Sequence, residues 1–255
     1  GGHEHENWVI ERGRRLTPIV KADANVRTVA VTTLRLARAG GRPSVSARLV
    51  SVDESIAEGP RTAAEVKKWT DLAYNGFRQQ GLEPTQIVTS TTVTLDGREA
   101  AVRNQSTNLT ELVVDALRHE AGTDIVILNA GSVRIDDEMP PGRLTQYDVI
   151  RVLPFGGKVV KATFTGALLQ RVLMIGNQNR GIGGFLHYAG PETIDPTQRY
   201  TLALPEFLLT GGESNLGFLT RQNADVSAIS DLRDIRLAMI DELRRVFQPA
   251  LPQTR

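Results

Sequence analysis

The stretch from Asn108 to Leu128 constrains this chain most. Leu109, Leu112, Val113, Ala116 and Leu117 recur at i, i+3, i+4, i+7 and i+8, which sets one apolar stripe along a helix over 108–121. Asp124–Leu128 follows with the run Ile-Val-Ile-Leu, too short for a helix of its own, and reads as a buried strand. That strand opens into Asn129-Ala130-Gly131, and a loop at the end of a buried strand is where binding groups tend to sit. Further strands are expected at Val149–Leu153, Lys158–Phe164 and Arg199–Leu204. A helix is expected after Gly166 (Leu168, Leu169, Val172, Leu173), and a closing one from Asp231 to Phe247. Strands and helices do not alternate regularly enough for a doubly wound sheet, so the fold class is α+β.

The first part of the chain has a different texture. Trp8-Val9-Ile10, Pro18-Ile19-Val20 and Val26–Val31 are short β-forming runs broken at Gly13 and Ala24-Asn25. Gly40–Pro43 is a loop, and Ser44–Val52 alternates as a half-buried strand does. Thr62-Ala63-Ala64-Glu65 has the spacing of a capping box, with Val66, Trp69, Ala73 and Phe77 on one face behind it and Gly81 as a stop. A long polar-backed helix between two β-rich blocks reads as an interdomain connector, with the boundary inside 54–84. Beyond it, Gln86–Leu95 is β-like and turns at Asp96-Gly97.

Composition removes several classes. Thirty Lys+Arg against 29 Asp+Glu leave a net charge of +1, which argues against a nucleic-acid binder built on bulk electrostatics. No apolar run approaches the length of a membrane span. With no cysteine there is no disulfide, thiolate zinc site or cysteine nucleophile, and only His3, His5, His119 and His187 carry imidazole. The chain starts at Gly1 with neither methionine nor a signal-like region, and on that ground it is expected to be processed or part of something longer.

The sharpest local motif is Gly1-Gly2-His3-Glu4-His5. In an extended segment His3 and His5 project to one face and can reach one metal centre, but two ligands are not a whole site. A solvated terminus or tag remnant fits the same spacing equally well. Gly156-Gly157-Lys158 lacks the other glycine and the Ser/Thr of a phosphate loop, and Gly181–Gly184 lacks dinucleotide spacing. Asn104-Gln105-Ser106 and Asn108-Leu109-Thr110 match glycosylation acceptors at chance level. More telling are polar and aromatic residues set in loops: Asn129 and Arg134 after the buried strand, Phe155 in Leu-Pro-Phe-Gly-Gly, and Phe207 in Leu-Pro-Glu-Phe. Each alone suits a structural role. Together they offer aromatic faces for a planar base, with hydrogen-bonding groups nearby.

Taken in order, these segments resemble the 5'-nucleotidase family, which includes the UDP-sugar hydrolases. The resemblance runs through Gly1–His5, Lys21–Ala24, Leu95–Arg98, Asn108–Ala116, Asn129–Arg134, Leu153–Gly157, Thr165-Gly166 and Gly211–Glu213. It implies residues 1–53 as the tail of a metallophosphoesterase domain, 54–84 as a linker helix region, and 85–255 as a mixed-sheet substrate-binding domain. By the same resemblance His3 and His5 are metal ligands of a centre holding two divalent ions, Zn, Mn or similar. The remaining ligands and the catalytic His are expected upstream, so this segment by itself is expected to hold no metal stably and to be inactive. Phe155 and Phe207 correspond to the base sandwich. Arg103, Asn129 and Arg134 correspond to nucleotide contacts, and Glu213 stands where the family often has Asp near the ribose. Ser106 and Thr110-Glu111 depart from the usual Glu and Gly-Asn. The implied activity is hydrolysis of nucleoside 5'-monophosphates, with a nucleoside or nucleotide as the partner and a periplasmic, secreted or cell-surface location. UDP-sugars, cyclic nucleotides and a non-catalytic nucleotide-binding module are the alternatives.

Overall fold

The computed structural model describes residues 5–14, 16–36 and 43–247, and divides the chain into compact units at 1–71 and 72–255. In the first unit, β1 (Trp8–Arg12) and β2 (Thr17–Lys21) form one hairpin, and β3 (Thr28–Arg35) and β4 (Ser44–Ser51) form another. Val26 lies in a 3-10 turn rather than in the strand expected to begin there. Asp23 ties this turn to its surroundings: Asn7 donates to both carboxylate oxygens (2.9 and 2.8 Å) and the Thr28 hydroxyl donates to one (2.8 Å). The Asn7 bonds, then that from Thr28, hold its carboxyl below the usual range. No described residue of this unit is buried, and Val9, Ile19, Val29, Val31, Leu34 and Val45 are exposed.

Helix α1 (Pro60–Gln79) starts two residues before the expected Thr62 cap. Pro60 suits a first helical turn because its missing N–H would have had no partner there. The supposed capping box is therefore interior to the helix, and the Glu65 carboxylate instead accepts from Trp69 Nε1 at 2.7 Å. Gly81, at φ +83, ends the helix as read. Its N–H bonds the Arg78 carbonyl and that of Leu82 the Phe77 carbonyl, a Schellman pattern that seats Leu82 in the core beside Phe77.

The second unit contains β5 (Ile87–Thr91), β6 (Leu95–Asp96), α2 (Glu99–Val102), α3 (Asn108–Ala121), β7 (Ile125–Asn129), β8 (Glu138–Met139), β9 (Gly142–Thr145), α4 (Gln146–Val152), β10 (Lys158–Thr165), α5 (Gly166–Gln178), β11 (Leu186–Ala189), β12 (Arg199–Pro205), β13 (Val226–Asp234) and α6 (Ile235–Val246). Its main sheet has the order β11-β7-β12-β10-β13, antiparallel except for the parallel pair β7–β12. The fold is α+β with a mixed sheet, as the sequence indicates. Both faces are covered, which is why β7 is apolar from Ile125 to Leu128. Val126 and Leu128 join a core shared with α3 and α6, whereas Ile127 joins Phe164, Leu169, Val172 and Leu202 under α5.

Three expectations need correction. Val149–Val152 is helical, not a strand, with Leu153 as its C-cap: the Thr145 hydroxyl accepts from the Asp148 N–H while Asp148 reaches back, and Val149, Ile150, Val152 and Leu153 are buried. The closing helix begins at Ile235, because Asp231–Asp234 completes β13 and Asp234 is the N-cap. Asp96-Gly97 is no hairpin turn, since β5 pairs with β9 and β6 with β8. Gly97 is needed there for close approach, a Cβ running into the Ile135 and Leu109 side chains.

Gly166 is more severely confined. A Cβ on it would overlap the Asp195 carbonyl oxygen, and its N–H already bonds the Gln198 carbonyl at 2.7 Å. Alanine is favoured over glycine in a helix by about 1 kcal/mol. Overpacking against a fixed backbone oxygen costs about 3 kcal/mol, so the clash outweighs the propensity. Gly166→Ala is therefore expected to lower the urea midpoint of the second unit. An unchanged midpoint would show that the 195–198 loop yields freely.

Candidate functional site

A cleft of about 560 Å³ opens where the loops after β7, α4 and β12 meet, within the size range of small-molecule sites. All six residues expected to contact the ligand line it: Arg103, Asn129, Arg134, Phe155, Phe207 and Glu213. They are gathered from positions more than a hundred residues apart in sequence.

Asn129 ends β7 and is buried, with its amide oriented from both sides. The Ser132 hydroxyl donates to its oxygen (2.7 Å), and its Nδ2 donates to Glu213 Oε2 (3.0 Å). The Ser214 N–H donates to the other Glu213 oxygen at 2.8 Å, so the longer carboxylate of Glu213 is fixed against the end of the sheet. Arg103 closes α2 and pairs with Glu99 one turn earlier (2.6 Å), while its carbonyl accepts from Gly181 N at 2.8 Å. Arg134 is exposed, anchored by its own N–H to the Val152 carbonyl (3.0 Å), with its guanidinium 5.8 Å from the Phe155 ring centroid.

The two aromatics stand out from the body of the unit. Phe155 is 73% exposed and Phe207 44%, unlike Phe164, which is fully buried. Gly156 and Gly157 follow Phe155 at φ +60 and +93, which L side chains rarely adopt, so this sharp turn requires glycine. At Phe207 the Thr210 hydroxyl donates to the backbone carbonyl (2.7 Å). Gly212 lies flush with the Phe207 ring, where a Cβ would come within 3.1 Å of Cε2.

The sequence reading missed Glu206 and Arg221, which also line the cleft. Arg221 donates to Asp231 at 2.6 Å, and this pairing, with Lys158 as a weaker contributor, holds the Asp231 carboxyl below its ordinary range. Glu206 adjoins Phe207 in the very motif that drew attention to Phe207, so its position was available but unused. A larger hollow, about 820 Å³, flanks the edge strand β11 and contains none of the six.

His3 lies outside the described residues, and His5 is exposed ahead of β1. Among the described residues of the first unit, His5 is the one imidazole, and the Asp23 carboxylate is taken up by Asn7 and Thr28.

A family model described as 5'-nucleotidase, C-terminal domain, matches residues 86–198. Those residues are similar to 5'-nucleotidase C-terminal domains. Protein UshA of Yersinia enterocolitica is 29% identical over 155 residues, covering 54% of this chain and 28% of that protein. The trifunctional nucleotide phosphoesterase protein YfkN of Bacillus subtilis is 31% identical over 150 residues, covering 56% of this chain and 10% of that one. Among solved structures, a 5'-nucleotidase precursor from Thermus thermophilus superposes with a TM-score of 0.68 at 19% identity, over 94% of this chain and 52% of its own. That likeness establishes the fold. The chain thus spans well under half of the curated relatives above. No helix among its described residues is long and apolar enough to cross a membrane.

Proposed function

We propose that the 5'-nucleotidase C-terminal domain of this chain binds a nucleoside 5'-monophosphate and orients it for a metal-dependent phosphoester hydrolase. The observation that carries the reading is the convergence of two exposed phenylalanines, a buried and oriented Asn129, and Arg103 and Arg134 on one cleft. In this reading Phe155 and Phe207 stack on the two faces of the base, and Glu213 accepts from the ribose hydroxyls. Arg103 and Arg134 face the phosphate with the planar donor forks that match its oxygens. Residues 85–255 supply recognition, 54–84 the linker, and 1–53 part of a metallophosphoesterase domain. The unburied hairpins of the first unit, with their exposed valines and isoleucine, are the kind of surface a larger domain covers. The two metals of such a hydrolase would generate the nucleophile and neutralise phosphoryl charge; the described residues here contribute binding and orientation.

Titration calorimetry of the whole chain tests this. AMP is expected to bind about tenfold more tightly than adenosine, because charge-assisted hydrogen bonds to phosphate each contribute about 1.5–3 kcal/mol. Arg134→Ala is expected to remove most of that difference and leave adenosine binding intact. Absence of binding by both ligands would refute the assignment of the cleft.

A further inference from the structure

We propose that Glu206 makes this cleft selective for guanine among the nucleobases, an inference that rests on the cleft being a base site. Glu206 immediately precedes Phe207, and its Oε1 is 3.0 Å from where a Cβ on Gly157 would stand. Gly157 in turn lies two residues after Phe155. The carboxylate therefore lies against the turn that follows Phe155 and next to Phe207, within the lining of the cleft that holds both rings. It is half-buried, and among the described residues no hydrogen bond or ion pair engages it.

The other glutamate of the cleft is differently placed. Glu213 has both oxygens occupied, one by Asn129 and one by the Ser214 N–H. The arginine on the same wall, Arg221, is turned to Asp231. Of the described carboxylates in the cleft, Glu206 alone presents an unengaged acceptor pair to an occupant.

An ionised carboxylate only accepts, and its two oxygens match two parallel N–H groups. Guanine offers that pair on one edge, N1–H beside the exocyclic N2–H. Adenine and cytosine each offer one exocyclic N–H beside a ring nitrogen that is itself an acceptor and repels the second oxygen. Uracil offers N3–H between two carbonyl oxygens, the least compatible edge. The ranking follows as guanine first, adenine and cytosine next, uracil last.

The experiment is calorimetric titration of the whole chain with guanosine, adenosine, cytidine and uridine, in wild type and in Glu206→Gln and Glu206→Ala. Wild type is expected to bind guanosine at least about tenfold more tightly than uridine, the equivalent of one charged hydrogen bond. Glu206→Gln replaces one acceptor by an N–H donor, so it is expected to weaken guanosine about tenfold and to strengthen uridine. Glu206→Ala is expected to level the four while leaving the stack. Equal affinities in wild type, or an unchanged ranking in Glu206→Gln, would overturn the selectivity while leaving the base site standing. Failure of all four nucleosides to bind would overturn the base site and this inference together.

Discussion

Between pH 7 and pH 4 the second unit is expected to lose about 3 kcal/mol of folding stability through His187 alone. This residue lies on β11, buried, packed edge-on to Phe185 at 5.2 Å, and neither ring nitrogen makes a hydrogen bond of normal geometry. Burial pushes its pKa down to about 4, with a nearby Val102 carbonyl offsetting a little of that. The unfolded chain takes up the proton near pH 6.5 and the folded one only near 4. The contribution is therefore fully present above pH 6.5 and disappears as pH falls from 6.5 to 4. Against a typical total of about 5–15 kcal/mol, this is a large fraction. The carboxyls that hydrogen bonds hold low, such as Glu83 at about 2, lose their contributions mainly at lower pH, so the window belongs to the histidine. Urea midpoints measured at intervals from pH 7 to pH 4 should fall steeply in wild type and much less in His187→Phe, which keeps the ring contact. Parallel slopes would mean that the buried imidazole charges without penalty. The comparison uses slopes, so any fixed packing change in the variant does not affect it.

What the sequence revealed and what it concealed follow from how local each determinant is. Helix α3 was legible to the residue because its apolar stripe, Leu109 to Leu117, lies wholly inside the segment. Strand β7 was legible because a wholly buried strand shows as an unbroken apolar run. Strand β13 was not: it is an edge strand, half exposed, with two register shifts against β10 and a positive φ at Ala228, so its apolar residues do not alternate cleanly. Its last residues, Leu232 among them, merged with the stripe of α6. Helix α4 was mistaken for a strand because five mostly apolar residues fit either period, and the Thr145–Asp148 cap that decides the matter lies just outside them. At the cleft the aromatic and amide residues were recognisable from their loop settings. Glu206 and Arg221 were not, since a charge in a loop acquires meaning only from what the fold brings opposite it.

Truncating either phenylalanine of the cleft should separate binding from folding more cleanly than any other change. Stacking of a base on an aromatic ring contributes about 1–3 kcal/mol by alanine substitution, so Phe155→Ala and Phe207→Ala are each expected to weaken nucleoside binding roughly ten- to hundredfold. The folded state has little stake in Phe155, which is 73% exposed and whose ring faces the exposed Arg134. Its removal should change stability by no more than about 0.5 kcal/mol, as for surface substitutions generally. Phe207 is more embedded, with the edge of its ring against Gly212, so a somewhat larger stability cost is expected there. If the two rings hold opposite faces of one base, the single losses will not simply add, because the first truncation already frees the base to tilt against the remaining ring. The double variant should therefore lose less than the sum of the single effects while binding nucleoside more weakly than either. Strict additivity would indicate two independent contacts instead of a sandwich. Unchanged affinity in all three variants, with folding intact, would remove the aromatic pair from the site altogether.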